Sequence, residues 1–265
     1  MTQPILHFAH ANSFPTGTYR VFLDQLRAHY DVRALDVHAH DPKYPIKNGW
    51  HDLAQELIDQ LSTCYDRPVI LVGHSLGGIL CLMAAKARPD LVQCVVLLDA
   101  PVLAGWKAWG WQLVKLVGMD KKVSPAKFSA KRFHIWSDKD AAHRHFSSKR
   151  LFANWPPEVL QDYVQHGLVP HPKGVTLRFS REAETAIYRT IPHHLGKLIR
   201  HRFPVPIGYI GGSESVEGRL AGLEATRRLV GPHFRQVRGG HLFPMESPTQ
   251  AADVVHDLIQ KLIKH

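Results

Sequence analysis

Ten consecutive residues, Val69-Ile70-Leu71-Val72-Gly73-His74-Ser75-Leu76-Gly77-Gly78, restrict what this chain can fold into more than any other stretch. Four apolar residues read as a buried strand, Gly-x-Ser-x-Gly follows, and residues 79–87 continue as a helix. Turning that sharply from strand to helix strains the backbone at the serine. Residues two before and two after it must therefore do without a side chain. Such a bend lifts the Ser75 hydroxyl above the sheet and sets the helix amino end, with its N–H groups and positive potential, beside it. A phosphate-binding turn would bring the lysine of a P-loop, which this stretch lacks. Ser75 is expected to act as a nucleophile.

The rest of the chain supports a sheet on which that bend could sit. Strand-like runs at 4–10, 32–37, 68–73, 95–99, 207–211 and 234–237 alternate with amphipathic segments. Tyr19, Phe22, Leu26 and Tyr30 share one helical face, as do Leu53, Leu57 and Leu61. The last segment opens with Ser247-Pro248-Thr249-Gln250, a capping-box spacing, and Ala251, Val255, Leu258 and Leu262 form its apolar stripe. This alternation predicts an α/β fold, a mostly parallel central sheet flanked by helices. Residues 102–205 break the pattern. They are rich in Trp, Lys and His, and a connection of this length is not a bare loop. They are expected to form a mainly helical insertion over one end of a core made of 1–101 and 206–265, with a short extended piece at 174–179.

A serine hydroxyl needs a base, and the chain holds 19 histidines. His241 stands apart in Gly239-Gly240-His241-Leu242-Phe243-Pro244-Met245-Glu246, a glycine-flanked loop after the last strand-like run and before the final helix. Such a loop can carry an imidazole to the rim of the sheet.

With these two segments the chain resembles the α/β-hydrolase fold superfamily, in the branch with a helical cap after the sixth strand. The likeness covers about 4–101 and 206–265. It implies that an oxyanion is held by two backbone N–H groups. One belongs to Leu76, after the nucleophile, and the other comes from the loop after the first strand, which usually reads His-Gly-x. Here that loop reads His10-Ala11-Asn12-Ser13-Phe14, with Ala for Gly, and Asn12 is assigned as the second donor. The acid that orients His241 has two candidates. Glu214 lies in the usual acid turn if Gly211 is its turn glycine; if Gly212 is, Ser215 occupies that position. Asp99 ends the preceding strand, where some relatives carry their acid, and it is favoured because Ser215 can hold the usual place. Trp106, Phe14 and His74 are expected to contact substrate, an apolar or aromatic acyl compound. Trp109 and Trp111 belong to the same aromatic stretch.

The nucleophile sets the chemistry. Haloalkane dehalogenases and epoxide hydrolases need a carboxylate where this chain has Ser75. A serine implies acyl transfer, and the expectation is a cofactor-free, metal-free hydrolase of carboxylic esters. A C–C bond hydrolase, an acyltransferase, a lyase or a non-catalytic ligand-binding homologue are the alternatives.

Composition bounds the remaining classes. Lys plus Arg less Asp plus Glu gives 33 − 23 = +10, but the basic residues are scattered and no nucleic-acid motif accompanies them, so no nucleic-acid partner is expected. No apolar run approaches the ~20 residues of a membrane span. The start of the chain does not read as a signal peptide, and Cys64, Cys81 and Cys94 are too few and too scattered for a disulfide framework. A cytoplasmic location is expected from this. Nothing in the sequence specifies an oligomeric state.

Overall fold

In the computed structural model, which describes residues 3–102 and 126–264, the uninterrupted apolar runs become strands buried on both faces. Along the chain the strands are β1 (Ile5–Ala9), β2 (Asp31–Ala34), β3 (Val69–His74), β4 (Val92–Leu98), β5 (Ile135–Trp136), β6 (Leu168–His171), β7 (Gly174–Leu177), β8 (Ile207–Gly212) and β9 (Phe234–Val237), of which β1, β3 and β8 are buried throughout. The helices are α1 (Arg20–Leu26), α2 (His51–Cys64), α3 (Leu76–Ala87), α4 (Ala126–Ala130), α5 (Lys139–Ser147), α6 (Pro157–His166), α7 (Arg181–Arg189), α8 (Leu195–Leu198), α9 (Val216–Ala221), α10 (Glu224–Val230), α11 (Phe243–Glu246) and α12 (Pro248–Ile263).

Six strands form one wholly parallel sheet in the order β2-β1-β3-β4-β8-β9. Side chains alternate across it, as the two-residue period of a strand requires. Leu6, Phe8, Ile70, Val72 and Val96 face one layer with Phe22, Leu26, Val255 and Leu258 of α1 and α12. Ile5, Ala9, Leu71, Val95 and Leu97 face the other with Leu57 and Leu80 of α2 and α3. Each fully buried aliphatic side chain contributes about 1.5–3 kcal/mol, so the centre of the sheet is a rigid platform.

The register carries the architecture to the site. His74 of β3 pairs with Leu98 of β4, Leu98 with Ile210 of β8, and Gly212 with Val237 of β9. The loops that follow these strands all leave at one rim, the carboxyl ends, where open α/β sheets gather ligand-binding residues.

The expected strands are found, with β4 beginning earlier than the apolar run suggested and β2 ending sooner. The stripe of α12 is buried, but Ser247 makes no side-chain cap hydrogen bond; Pro248 at the first helical position is what starts the helix. Between 126 and 205 helices predominate, and the extended piece expected at 174–179 is β7. It pairs antiparallel with β5 and β6 in a small sheet that the sequence did not announce. Among the described residues, no helix is long and apolar enough to cross a membrane.

Candidate active site

Ser75 joins the last residue of β3 to the first of α3 with φ 53° and ψ −113°, a conformation costly for any residue with a Cβ. Backbone contacts impose it. A Cβ on Gly73 would stand 2.5 Å from the Gly77 carbonyl, and one on Gly77 only 2.1 Å from the carbonyl oxygen of Ala9. The same closeness presses the loop after β1 against the amino end of α3. Leu76 is the first helical residue, so its N–H has no intrahelical partner. The N–H of Asn12 has no hydrogen-bond partner among the described residues either. Its side chain turns away to α7, where Nδ2 donates to the Glu184 carbonyl at 3.3 Å.

His241 Nε2 lies 3.0 Å from Ser75 Oγ, and its Nδ1 lies 2.6 Å from Asp99 Oδ2. The Asp99 side chain is 1% exposed and that of His241 19%, so the imidazole is partly open to solvent while the carboxylate is sealed behind it. Asp99 Oδ1 accepts from the Gly212 N–H at 3.1 Å and the Tyr209 hydroxyl at 3.3 Å; Oδ2 accepts from the Ser215 hydroxyl at 2.5 Å. Burial works against its ionisation, yet the hydrogen bond and charge of His241, with the Ser215 hydroxyl, hold the carboxyl below its ordinary range. For His241, burial alone would push the pKa down. The Asp99 bond and charge, with Glu217 and Glu246 adding theirs, raise it above 6.5.

The structure separates the two acid candidates. Asp99 meets His241. Glu214 is exposed, its backbone N–H donates to the Gly239 carbonyl at 2.9 Å, and its side chain is not the one bonded to the imidazole. Ser215 caps α9 by accepting from the Gly218 N–H at 3.0 Å while donating to Asp99, so the turn position that was the other reading of the 211–215 loop holds a hydroxyl bonded to the Asp99 carboxylate. Glu217, Asp99 and His241 offer atoms within 4.8 Å of one another, the sole arrangement of metal-ligand spacing among the described residues. Both imidazole nitrogens and both Asp99 oxygens are already engaged, so a cation would have to break those bonds.

The expected substrate contacts fare differently. His74 is fully buried, with Nδ1 2.7 Å from the Tyr19 hydroxyl and Nε2 2.9 Å from the His241 carbonyl, so it has no ring nitrogen for a substrate. This corrects the sequence expectation. As the last residue of β3 it lies beneath the base, its ring centroid 5.1 Å from that of His241. Phe14 is 8% exposed and packs on Trp155 and Tyr163, ring centroids 5.9 and 5.6 Å away. Trp106, Trp109 and Trp111 lie outside the described residues. Sequence reasoning missed Tyr19, placed only on the apolar face of a helix, and Tyr209, which fell within a strand-like run without being singled out. A tyrosine within an apolar run is a signal that its hydroxyl has found a buried partner.

A model of the alpha/beta hydrolase family matches residues 8–254. Lipase LipV of Mycobacterium tuberculosis is 36% identical over 202 residues, which span 72% of this chain and 68% of that protein. The 2-(acetamidomethylene)succinate hydrolase of Mesorhizobium japonicum is 29% identical over 98 residues, only 36% of this chain and 35% of that one. The solved structure of E-2-(acetamidomethylene)succinate hydrolase has the same fold, with a TM-score of 0.75 at 21% identity, covering 98% of this chain and 92% of its own. With a parallel sheet, a strained serine at its rim and a family match along nearly its whole length, the chain belongs to the alpha/beta hydrolase family.

Proposed function

We propose that the chain is a serine hydrolase that cleaves carboxylic esters of small molecules through a covalent acyl-enzyme, using no cofactor. One observation carries the reading: Ser75 Oγ, His241 Nε2 and Nδ1, and Asp99 Oδ2 form a continuous hydrogen-bonded line with steps of 3.0 and 2.6 Å. His241 takes the hydroxyl proton as Ser75 Oγ bonds to the acyl carbon. Asp99 keeps the imidazole in the tautomer that accepts at Nε2 and stabilises the imidazolium that forms. The N–H groups of Leu76 and Asn12 hold the oxyanion, a contribution of about 3–4 kcal/mol per donor in comparable sites. The imidazolium then gives its proton to the leaving alcohol as the C–O bond breaks. Water, deprotonated by His241, attacks the acyl carbon, and collapse of the second oxyanion releases the acid and restores Ser75.

In this reading residues 102–205 cap a core of 1–101 and 206–265. Supporting it, α7 bonds Asn12 through the Glu184 carbonyl, and Trp155 and Tyr163 pack on Phe14 of the same loop.

The test is covalent. A fluorophosphonate probe is expected to form an adduct on Ser75 of the folded protein and none on Ser75→Ala, and p-nitrophenyl esters are expected to yield acid even with an alcohol acceptor present. An unlabelled Ser75 in folded wild-type protein sinks the proposal, and ester product in place of acid makes the enzyme a transferase.

A further inference from the structure

Two buried side chains lie directly behind the Ser75–His241 pair and have no step in the reaction above. Tyr19 is 1% exposed and His74 0%. The direction of every hydrogen bond between them follows from what each atom can do. A backbone N–H only donates, so Ala11 N–H gives its proton to the Tyr19 oxygen at 3.1 Å. A carbonyl only accepts, so His74 Nε2 must carry the proton it directs at the His241 carbonyl, 2.9 Å away. Nδ1 of the neutral ring is then an acceptor, and the Tyr19 hydroxyl proton points at it across 2.7 Å. Burial, reinforced by the neighbouring His241, pushes the His74 pKa down to about 3, so the neutral ring persists throughout the working range. A doubly protonated ring would turn a donor against Tyr19 and break the chain of bonds.

What this chain of bonds connects is specific. Ala11 precedes Asn12 in the loop of the second oxyanion donor. His74 precedes Ser75. The His241 carbonyl belongs to the residue whose ring serves as base. Three segments far apart in sequence, supplying nucleophile, base and oxyanion donor, are tied by bonds of which two are fully buried and the third, to the His241 carbonyl, partly so. An apolar core would hold them only by packing, which tolerates sliding; directed bonds do not. An error of about 1 Å in the placement of reacting groups costs on the order of 100-fold in rate.

We propose that Tyr19 and His74 are positioning residues: a buried relay, Ala11 N–H to Tyr19 to His74 to the His241 carbonyl, sets the relative placement of nucleophile, base and oxyanion loop. The proposal rests on the serine-hydrolase reading. Its consequence is that breaking the relay lowers turnover in molecules that remain folded and still bind substrate.

The experiment uses Tyr19→Phe, which removes one oxygen and keeps the ring, His74→Leu, which keeps the bulk without polar atoms, and His74→Gln, which restores a donor to the His241 carbonyl. kcat and KM on a p-nitrophenyl ester are measured well below each melting midpoint and expressed per site titrated with a fluorophosphonate. His74→Leu is expected to lose ~30–100-fold in kcat and Tyr19→Phe ~10-fold, with KM within ~2-fold of wild type, and His74→Gln to recover most of the loss. The double variant Tyr19→Phe/His74→Leu is expected to be no slower than His74→Leu alone, because the two residues act through one relay. Should His74→Leu not fold, Tyr19→Phe and His74→Gln against wild type carry the test. Turnover per titrated site within ~2-fold of wild type in Tyr19→Phe, or losses that multiply in the double variant, overturns the relay. A wild-type protein that takes no label on Ser75 instead overturns the hydrolase reading beneath it, so the two failures read differently.

Discussion

The rim of the parallel sheet and the segment 126–205 are built on different principles. Among the described residues, the non-glycine residues with positive φ are Ser13, Ala39, Trp50, Ser75 and Asp99; three of them, Ser13, Ser75 and Asp99, follow the carboxyl ends of β1, β3 and β4, and none lies in 126–205. At the rim, strain is held in place by backbone-to-backbone contact and by buried hydrogen bonds. In the segment, helices start in the ordinary way, with Asp138 capping α5 and Ser180 capping α7, and side chains provide the cohesion. Arg132 donates to Glu184 at 3.0 Å and to the Tyr163 hydroxyl at 2.6 Å, and Phe146, Phe152, Trp155 and Tyr163 form a packed aromatic cluster. Strain over-determined by its surroundings is how a site is kept ready before substrate arrives. Relaxed side-chain packing holds a structure together without dictating the position of a reacting atom. The two regions should therefore answer differently to substitution, turnover failing at the rim and stability in the segment.

The largest effect is expected at Asp99. Asp99→Asn keeps the volume and removes the charge that fixes the His241 tautomer. We expect kcat to fall by at least ~100-fold, and toward the ~10⁴-fold seen when a triad acid loses its charge, with KM little changed. Its counterpart Glu214→Gln should leave kcat within ~2-fold, because an exposed loop charge contributes little. Steady-state kinetics on one ester checks both. The opposite pattern, with Asp99→Asn nearly silent, would return the acid to Glu214.

That pair also marks how far the amino-acid sequence could be read. The bend at Ser75 was legible because a strained turn needs glycines at fixed offsets, and Gly73 and Gly77 are demanded by contacts within a few residues or with the adjacent strand. His241 was legible because glycines flank it at the point where a parallel sheet runs out. Between Asp99 and Glu214 the sequence could only lean toward Asp99, because which carboxylate meets His241 depends on the pairing of Leu98 with Ile210 across the sheet, which no local pattern encodes. His74 was misjudged for a related reason. A residue beside the nucleophile in sequence is read as part of the pocket, yet His74 is fully buried at the end of a strand and both its ring nitrogens are taken, by the Tyr19 hydroxyl and the His241 carbonyl. The small sheet of 126–205 was invisible because β5 has only 2 residues, too few for any period to register.

In the segment the expected response is thermodynamic. Arg132→Met leaves the Glu184 carboxylate, whose side chain is 9% exposed, without its partner. Removing one member of such a pair costs about 3–5 kcal/mol, and the partial exposure of Arg132 points to the lower end. Denaturant unfolding should register that loss, while kcat per titrated site stays within ~3-fold, since the loop after β1 is tied to Glu184 through its backbone carbonyl and not its carboxylate. Unchanged stability together with a ~10-fold fall in kcat would erase the contrast between the two regions and make Arg132 part of the site.

The smallest effect tests the boundary itself, at Glu217, which is exposed on α9 yet lies within 4.8 Å of His241 and Asp99. Its charge helps raise the His241 pKa, after burial, which lowers it, and after the dominant bond and charge of Asp99. A base works only when neutral, so activity declines as pH falls through the His241 pKa, and a raised pKa sets that decline at higher pH. Glu217→Gln removes one contribution to the raising. The acid limb of the kcat/KM profile should then move to lower pH, with the plateau rate unchanged. Because Glu217 is exposed, salt screens its charge, so the gap between variant and wild-type profiles should narrow as ionic strength increases. Asp99 and His241 bond each other behind the surface, and their coupling should respond far less to salt. A limb that does not move, or moves to higher pH, would mean that Glu217 exerts no field on the imidazole and that the charge balance of the rim is complete without α9.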